Sequence, residues 1–109
     1  MSPSMSESTR SERRRQPRIR YEAPATVAAA DHKLAASVKD ISERGLFCFT
    51  DANIEIGSTV DVIIMLPKEA GLPVSGMVCC SGHIVRSSIS SGQFGIAVEI
   101  DQMAPVPYV

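Results

Sequence analysis

The chain has 109 residues, of which 44% are hydrophobic, 21% charged and only 5% aromatic, and its formal net charge is −1. That length is a single domain, able to bury about 60–65% of its unfolded surface. No apolar run approaches the ~20 residues of a membrane-spanning helix, and the opening Ser, Glu and Arg residues do not read as an apolar leader, so neither a membrane span nor export is expected.

In chain order, residues 1–11 are polar, rich in Ser with Thr and Pro, and are expected to be disordered. Residues 12–20 form a basic arm. Six arginines against two glutamates give residues 1–20 a charge of +4, while five basic and ten acidic side chains give the remainder −5. Such an arm draws small anions or nucleic acid. Pro17 disfavours helix at Gln16, so the arm is expected to be extended or turned.

From Tyr21 to Asp101 the reading is β. Residues 26–29 are a short strand after Pro24. Residues 34–41 alternate Leu34, Ala36 and Val38 against Ala35, Ser37 and Lys39. Gly45 breaks the chain and 46–50 resume an apolar run. Residues 59–66 (TVDVIIML) are the strongest strand, ended by Pro67, and 68–73 are a loop. Residues 74–86 are a long strand containing Gly76 and Gly82, which mark a bulge or barrel corner. Residues 93–100 set Phe94, Ile96, Val98 and Ile100 on one face, and 102–109, with two prolines, are expected to be a loose tail. With no helical period over 11 residues, the predicted architecture is all-β, a small barrel or sandwich of five or six short strands.

Two motifs carry chemistry. Arg14 to Arg18 reads R-x-x-x-R, directly after Arg13, and Asp40 to Gly45 reads D-x-S-x-x-G. Arginines offer planar forks to phosphate oxygens and to the O6/N7 edge of guanine. Asp40 supplies a carboxylate for the N–H donors on guanine's other edge, Ser42 a hydroxyl, and Gly45 room for close approach. With Ile41 pointing to the core, Asp40 and Ser42 are expected to face outward together. Glu43 and Arg44 are expected to be solvated, and Arg86 to be an exposed strand-end residue. Cys48, Cys79 and Cys80 form no C-x-x-C pattern, and His32 and His83 are isolated, so no metal is expected. No phosphate-binding glycine loop, nucleophile elbow or acid–base pair is present, so the chain is not expected to be an enzyme.

The order and spacing of these motifs, with a small all-β chain around them, resemble the PilZ domain, a bacterial receptor for cyclic di-GMP. The resemblance covers residues 12–101. It implies a six-stranded antiparallel β-barrel (21–101) behind a flexible arginine arm (12–20). It also implies that Arg14 and Arg18 grip cyclic di-GMP, and that Arg13 bears on whether one ligand or an intercalated pair is bound. Asp40, Ser42 and Gly45 would form the guanine-reading corner. No cofactor beyond this ligand is implied. The expected partner is an effector protein in trans, the expected location the cytoplasm, and the expected state a monomer or a ligand-linked dimer. Nucleic acid is not the expected partner, because the body is acidic and its aromatic residues are few. The alternative is a PilZ-like protein-interaction module without a nucleotide.

Overall fold

In the computed structural model, the described residues are 19–30 and 32–106. They form six strands: β1 (Ile19–Ala29), β2 (His32–Ile41), β3 (Gly45–Thr50), β4 (Thr59–Leu66), β5 (Gly76–Ser90) and β6 (Gln93–Pro105). All neighbours pair antiparallel, in the closed order β1-β2-β3-β6-β5-β4. Apolar–polar alternation explains the closure. Val60, Val62, Ile64 and Leu66 on β4 point inward with Val27, Val38, Leu46, Ile84, Ile96 and Val98, and all are essentially fully buried.

Strong stagger accompanies closure. The pairings Ile19↔Ile41↔Leu46↔Val98↔Ile84 run round the wall. Ile84 N–H then donates to the carbonyl of Ser58, two residues before Val60, which pairs with Ala29 rather than Ile19. A circuit therefore returns one strand-length along β1, as a tilted small barrel requires. Because β4 pairs β1 only from Ala25 onward, the first half of β1 has β2 alone as its partner. Pro24 sits in that half, where its missing N–H breaks no β1–β4 bond.

The boundaries differ most from the sequence reading in three places. β5 runs to Ser90 because its hairpin turns at Ser91–Gly92, with φ of 51° and 80°, the type I′ geometry of a two-residue loop. β6 runs to Pro105, so 102–105 are strand rather than tail. Cys79↔Ala104 and Val78↔Pro105 pairing with β5 outweighs the prolines, and Val106 N–H donates to the Met77 carbonyl at 2.8 Å. β1 starts at Ile19 rather than at residue 26, so the last two residues assigned to the arm already pair with β2. The loop after Pro67 contains a 3₁₀ turn (Lys68–Ala70) closed by Gly71 in the left-handed region, φ 72°.

Cys48 and Cys80 are core residues. Desolvation pushes the Cys48 thiol up to about 11 and, with a smaller contribution from Cys79, the Cys80 thiol up to about 12. Among the described residues, no His, Cys, Asp and Glu cluster is placed to hold a metal ion, and no helix is long and apolar enough to cross a membrane.

Candidate ligand-binding site

The β2–β3 corner is built by one hydroxyl. Ser42 N–H donates to the Gly45 carbonyl at 2.8 Å. Ser42 Oγ accepts from the N–H groups of Arg44 and Gly45, each at 3.3 Å, and donates to the Gly45 carbonyl at 3.3 Å. One hydrogen and two lone pairs are then fully used. The spacing S-x-x-G is thus the spacing of a side-chain-stapled turn. The corner is tied to the far strand by Ile100 N–H, which donates to the Arg44 carbonyl at 2.8 Å.

Ser42 is buried, at 4% exposure, and does not face outward beside Asp40 as the alternation suggested. Its hydroxyl shapes the turn. Replacing it with alanine leaves two amide donors at the corner without an acceptor. Ser42→Ala is expected to cost about 1–2 kcal/mol of stability, read as a lower urea midpoint at unchanged slope; a midpoint equal to wild type would refute the staple.

Asp40 is half-buried, and a β-bulge decides its direction. Val38 pairs with Cys48 and Asp40 with Phe47, so Lys39 is an extra residue on β2. Without it, Asp40 would keep the inward phase of Ala36 and Val38. With it, Ile41 takes the core position and Asp40 turns to the outer wall. Lys39 itself lies 3.5 Å from Glu22 and 5.9 Å from the centre of the Phe49 ring. A second register break, between Arg20 and Ala23 on β1, brings Arg20 opposite Asp40. Sequence reading passed over Arg20 because only strand pairing shows its register.

The corner faces two different environments. On one side lies a cleft of about 220 Å³ lined by Glu43, Pro73, Ile100, Asp101, Gln102 and Met103. Nearby, Glu99 pairs with both Gly45 and His83, and His83 is held between Glu99 and Asp101 at 3.2 Å each. His83 is thus a strand residue with acidic partners. This side is rich in carboxylates and repels an anion. The other side is the outer wall of β2, β3 and β6, bearing Lys39, Asp40, Phe47 and Phe49. A cavity of about 660 Å³ is lined by Ala28, Ala29, His32, Ile54 and Asp61 among others. It lies at the start of β2, whereas the motif stands at that strand's end, so we assign it no part in motif chemistry.

Arg13, Arg14 and Arg18 lie outside the described residues. Of the sequence-predicted site residues, the fold brings Asp40, Ser42 and Gly45 to one corner. Glu43 and Arg44 are exposed there.

The sequence model of the PilZ domain matches residues 12–106. The fold is similar to the solved structure of the Bacillus subtilis inhibitor of motility (MotI/DgrA), with a TM-score of 0.70 and 16% sequence identity. That similarity covers 85% of this chain and 44% of the other, so the chain spans less than half of that protein's length, and identity this low speaks to fold alone. Among curated proteins there is no match.

Proposed function

The chain belongs to the PilZ domain family, and from that membership we propose that it is a cytoplasmic receptor for cyclic di-GMP that signals to an effector protein in trans. One observation carries the reading: the family match spans 12–106 and so contains both intact motifs, Arg14 to Arg18 and Asp40 to Gly45.

Register supports it. Ile19 pairs with Ile41 and Arg20 with Asp40. Arg18 immediately precedes Ile19 in the sequence, and Arg14 lies four residues before Arg18, a separation that a chain can span by at most ~14 Å. In this reading Asp40 takes the N–H edge of a guanine, and Arg14 and Arg18 take phosphates and the O6/N7 edge. Arg13 adds cationic surface for a second, stacked ligand. Ser42 and Gly45 hold the corner in shape. Binding orders the arm against the barrel. The ordered arm presents a new surface to the effector, and the protein remains a monomer or joins a ligand-linked dimer.

Isothermal titration with cyclic di-GMP, against GTP and cyclic di-AMP, tests the proposal. The expected result is saturable binding of cyclic di-GMP alone at low micromolar affinity or tighter, with the molar ratio giving one or two ligands per chain. No binding by this and a second method would overturn it in favour of a protein-interaction module.

A further inference from the structure

A row of cross-strand partners crosses the outer wall from the corner: Asp40↔Phe47 between β2 and β3, Phe47↔Ala97 between β3 and β6, and Ala97↔Arg86 between β6 and β5. Partners in register stand on the same face of a sheet. The row thus joins Asp40 to Arg86 across three strand spacings, about 14 Å.

A second bulge makes this row. Ile84 pairs with Val98 and Arg86 with Ala97, so Val85 is an extra residue on β5. Ile84 is fully buried. In an unbroken strand Arg86 would share its inward phase. The bulge turns Arg86 outward, as the bulge at Lys39 turns Asp40 outward. Two separate register breaks therefore deliver an anionic and a cationic side chain to one line on the wall, and bulges of this kind re-aim side chains at sites. Arg86 is not the strand-end residue expected from the sequence.

Between them stands an aromatic ring. Phe47 is half-buried and meets Phe49 edge-on, with ring centres 5.2 Å apart and planes at 82°. The tip of its ring occupies the space above Gly95. A Cβ at that position would lie 2.7 Å from Phe47 Cζ and 3.1 Å from Ser88 Oγ. Gly95 is thus a seat for the ring. Ala97, beside it, keeps the floor low between Phe47 and Arg86.

We infer that the ligand site continues along this row, with Phe47 as the stacking platform for the guanine that Asp40 reads and Arg86 as a donor fork to the adjoining phosphate. The inference rests on the receptor reading above and adds two residues to it. Stacking on an aromatic ring is sequence-tolerant, so Phe47 supplies affinity while Asp40 supplies choice of base. The row carries Arg86 on one flank and Lys39, 3.5 Å from Glu22, on the other, whereas the cleft on the other side of the corner carries Glu43 and Asp101. An anionic dinucleotide is therefore directed to the wall.

Titration of cyclic di-GMP into the full chain and into Phe47→Leu, Phe47→Tyr, Arg86→Ala and Lys33→Ala tests it, with thermal melts to verify folding. Phe47→Leu is expected to weaken binding about tenfold and Phe47→Tyr to restore it. Arg86→Ala is expected to weaken binding about tenfold and to make it less sensitive to salt. Lys33→Ala, at the opposite end of β2, should bind as wild type. Wild-type affinity in both Phe47→Leu and Arg86→Ala would overturn the row and leave the receptor reading standing. Absence of binding in the unmodified chain would overturn both. Arg86 is exposed, so wild-type affinity in Arg86→Ala overturns its phosphate role even if a change at Phe47 disturbs the barrel.

Discussion

Replacing Arg14 and Arg18 together with alanine is expected to weaken cyclic di-GMP binding by a factor of ~100 or more, placing it beyond ordinary titration. Each arginine in this reading makes charge-assisted bonds worth about 1.5–3 kcal/mol, and each single alanine variant should bind at least ~10-fold more weakly, since 1.4 kcal/mol is a factor of ten. The effect is large because the arm does two things at once. It contributes the donors, and it adds +4 of charge to a body that is otherwise −5. Ordering it costs conformational entropy of about 1–2 kcal/mol per fixed residue, a cost that a single variant must meet with fewer bonds. Binding should accordingly show favourable enthalpy opposed by entropy. Alanine at Asp40 should have a different signature: a smaller loss of affinity but a narrowed gap between cyclic di-GMP and cyclic di-AMP, because in the proposed reading the carboxylate meets only guanine's N–H edge. Undiminished affinity in the Arg14→Ala, Arg18→Ala double variant would sink arm capture as the mechanism, whatever the barrel itself binds.

Much of this was legible in the chain because strand period and motif spacing are local. The run TVDVIIML alternates inward and outward, and β4 occupies those eight residues. Phe94, Ile96, Val98 and Ile100 share a face, as β6 confirms with Ile96, Val98 and Ile100 buried. Gly82, suspected of marking a bulge, stands at one: Ser81 pairs with Gln102 and Gly82 with Ile100. What escaped was set by partners distant in sequence. In Leu46-Phe47-Cys48-Phe49 every residue is apolar, so nothing local says that the two aromatic rings go outside and Leu46 and Cys48 inside. The seat for Phe47 is Gly95, nearly fifty residues away in the sequence. The phase of Arg86 depended on a bulge at Val85 that only pairing with β6 creates. The outward aim assigned to Ser42 failed because simple alternation does not survive a bulge followed by a turn. β6 outran its expected end because β5, at residues 77–79, supplied bonds that a proline-bearing tail could not supply for itself.

Gly82→Ala is the substitution expected to damage the fold most. Gly82 is buried on β5 opposite Ile100. A Cβ there would fall on the carbonyl oxygen of Glu99 and lie 2.9 Å from its carbonyl carbon and 3.1 Å from Ile100 Cα. All three are backbone atoms, so no side-chain rotation relieves the clash. Nor is β6 free to retreat, since Glu99 pairs with Gly45 on β3 and Ile100 N–H is bonded to the Arg44 carbonyl. Overpacking of this kind costs ~3 kcal/mol or more, a large share of the 5–15 kcal/mol that typically holds a domain together, and lowers the melting temperature by more than ~12 °C at this size. Gly71→Ala is the comparison. Its site has open space but φ of 72°, so it should cost only the left-handed backbone penalty of about 1–2 kcal/mol. If urea denaturation gave the two variants equal stabilities, close approach of β5 to β6 would not be what requires glycine at position 82. The consequence reaches the ligand as well. The strand that Gly82 lets through is the one that anchors the Ser42–Gly45 corner, so a folded remnant of Gly82→Ala should bind cyclic di-GMP more weakly with every proposed ligand-contacting side chain intact.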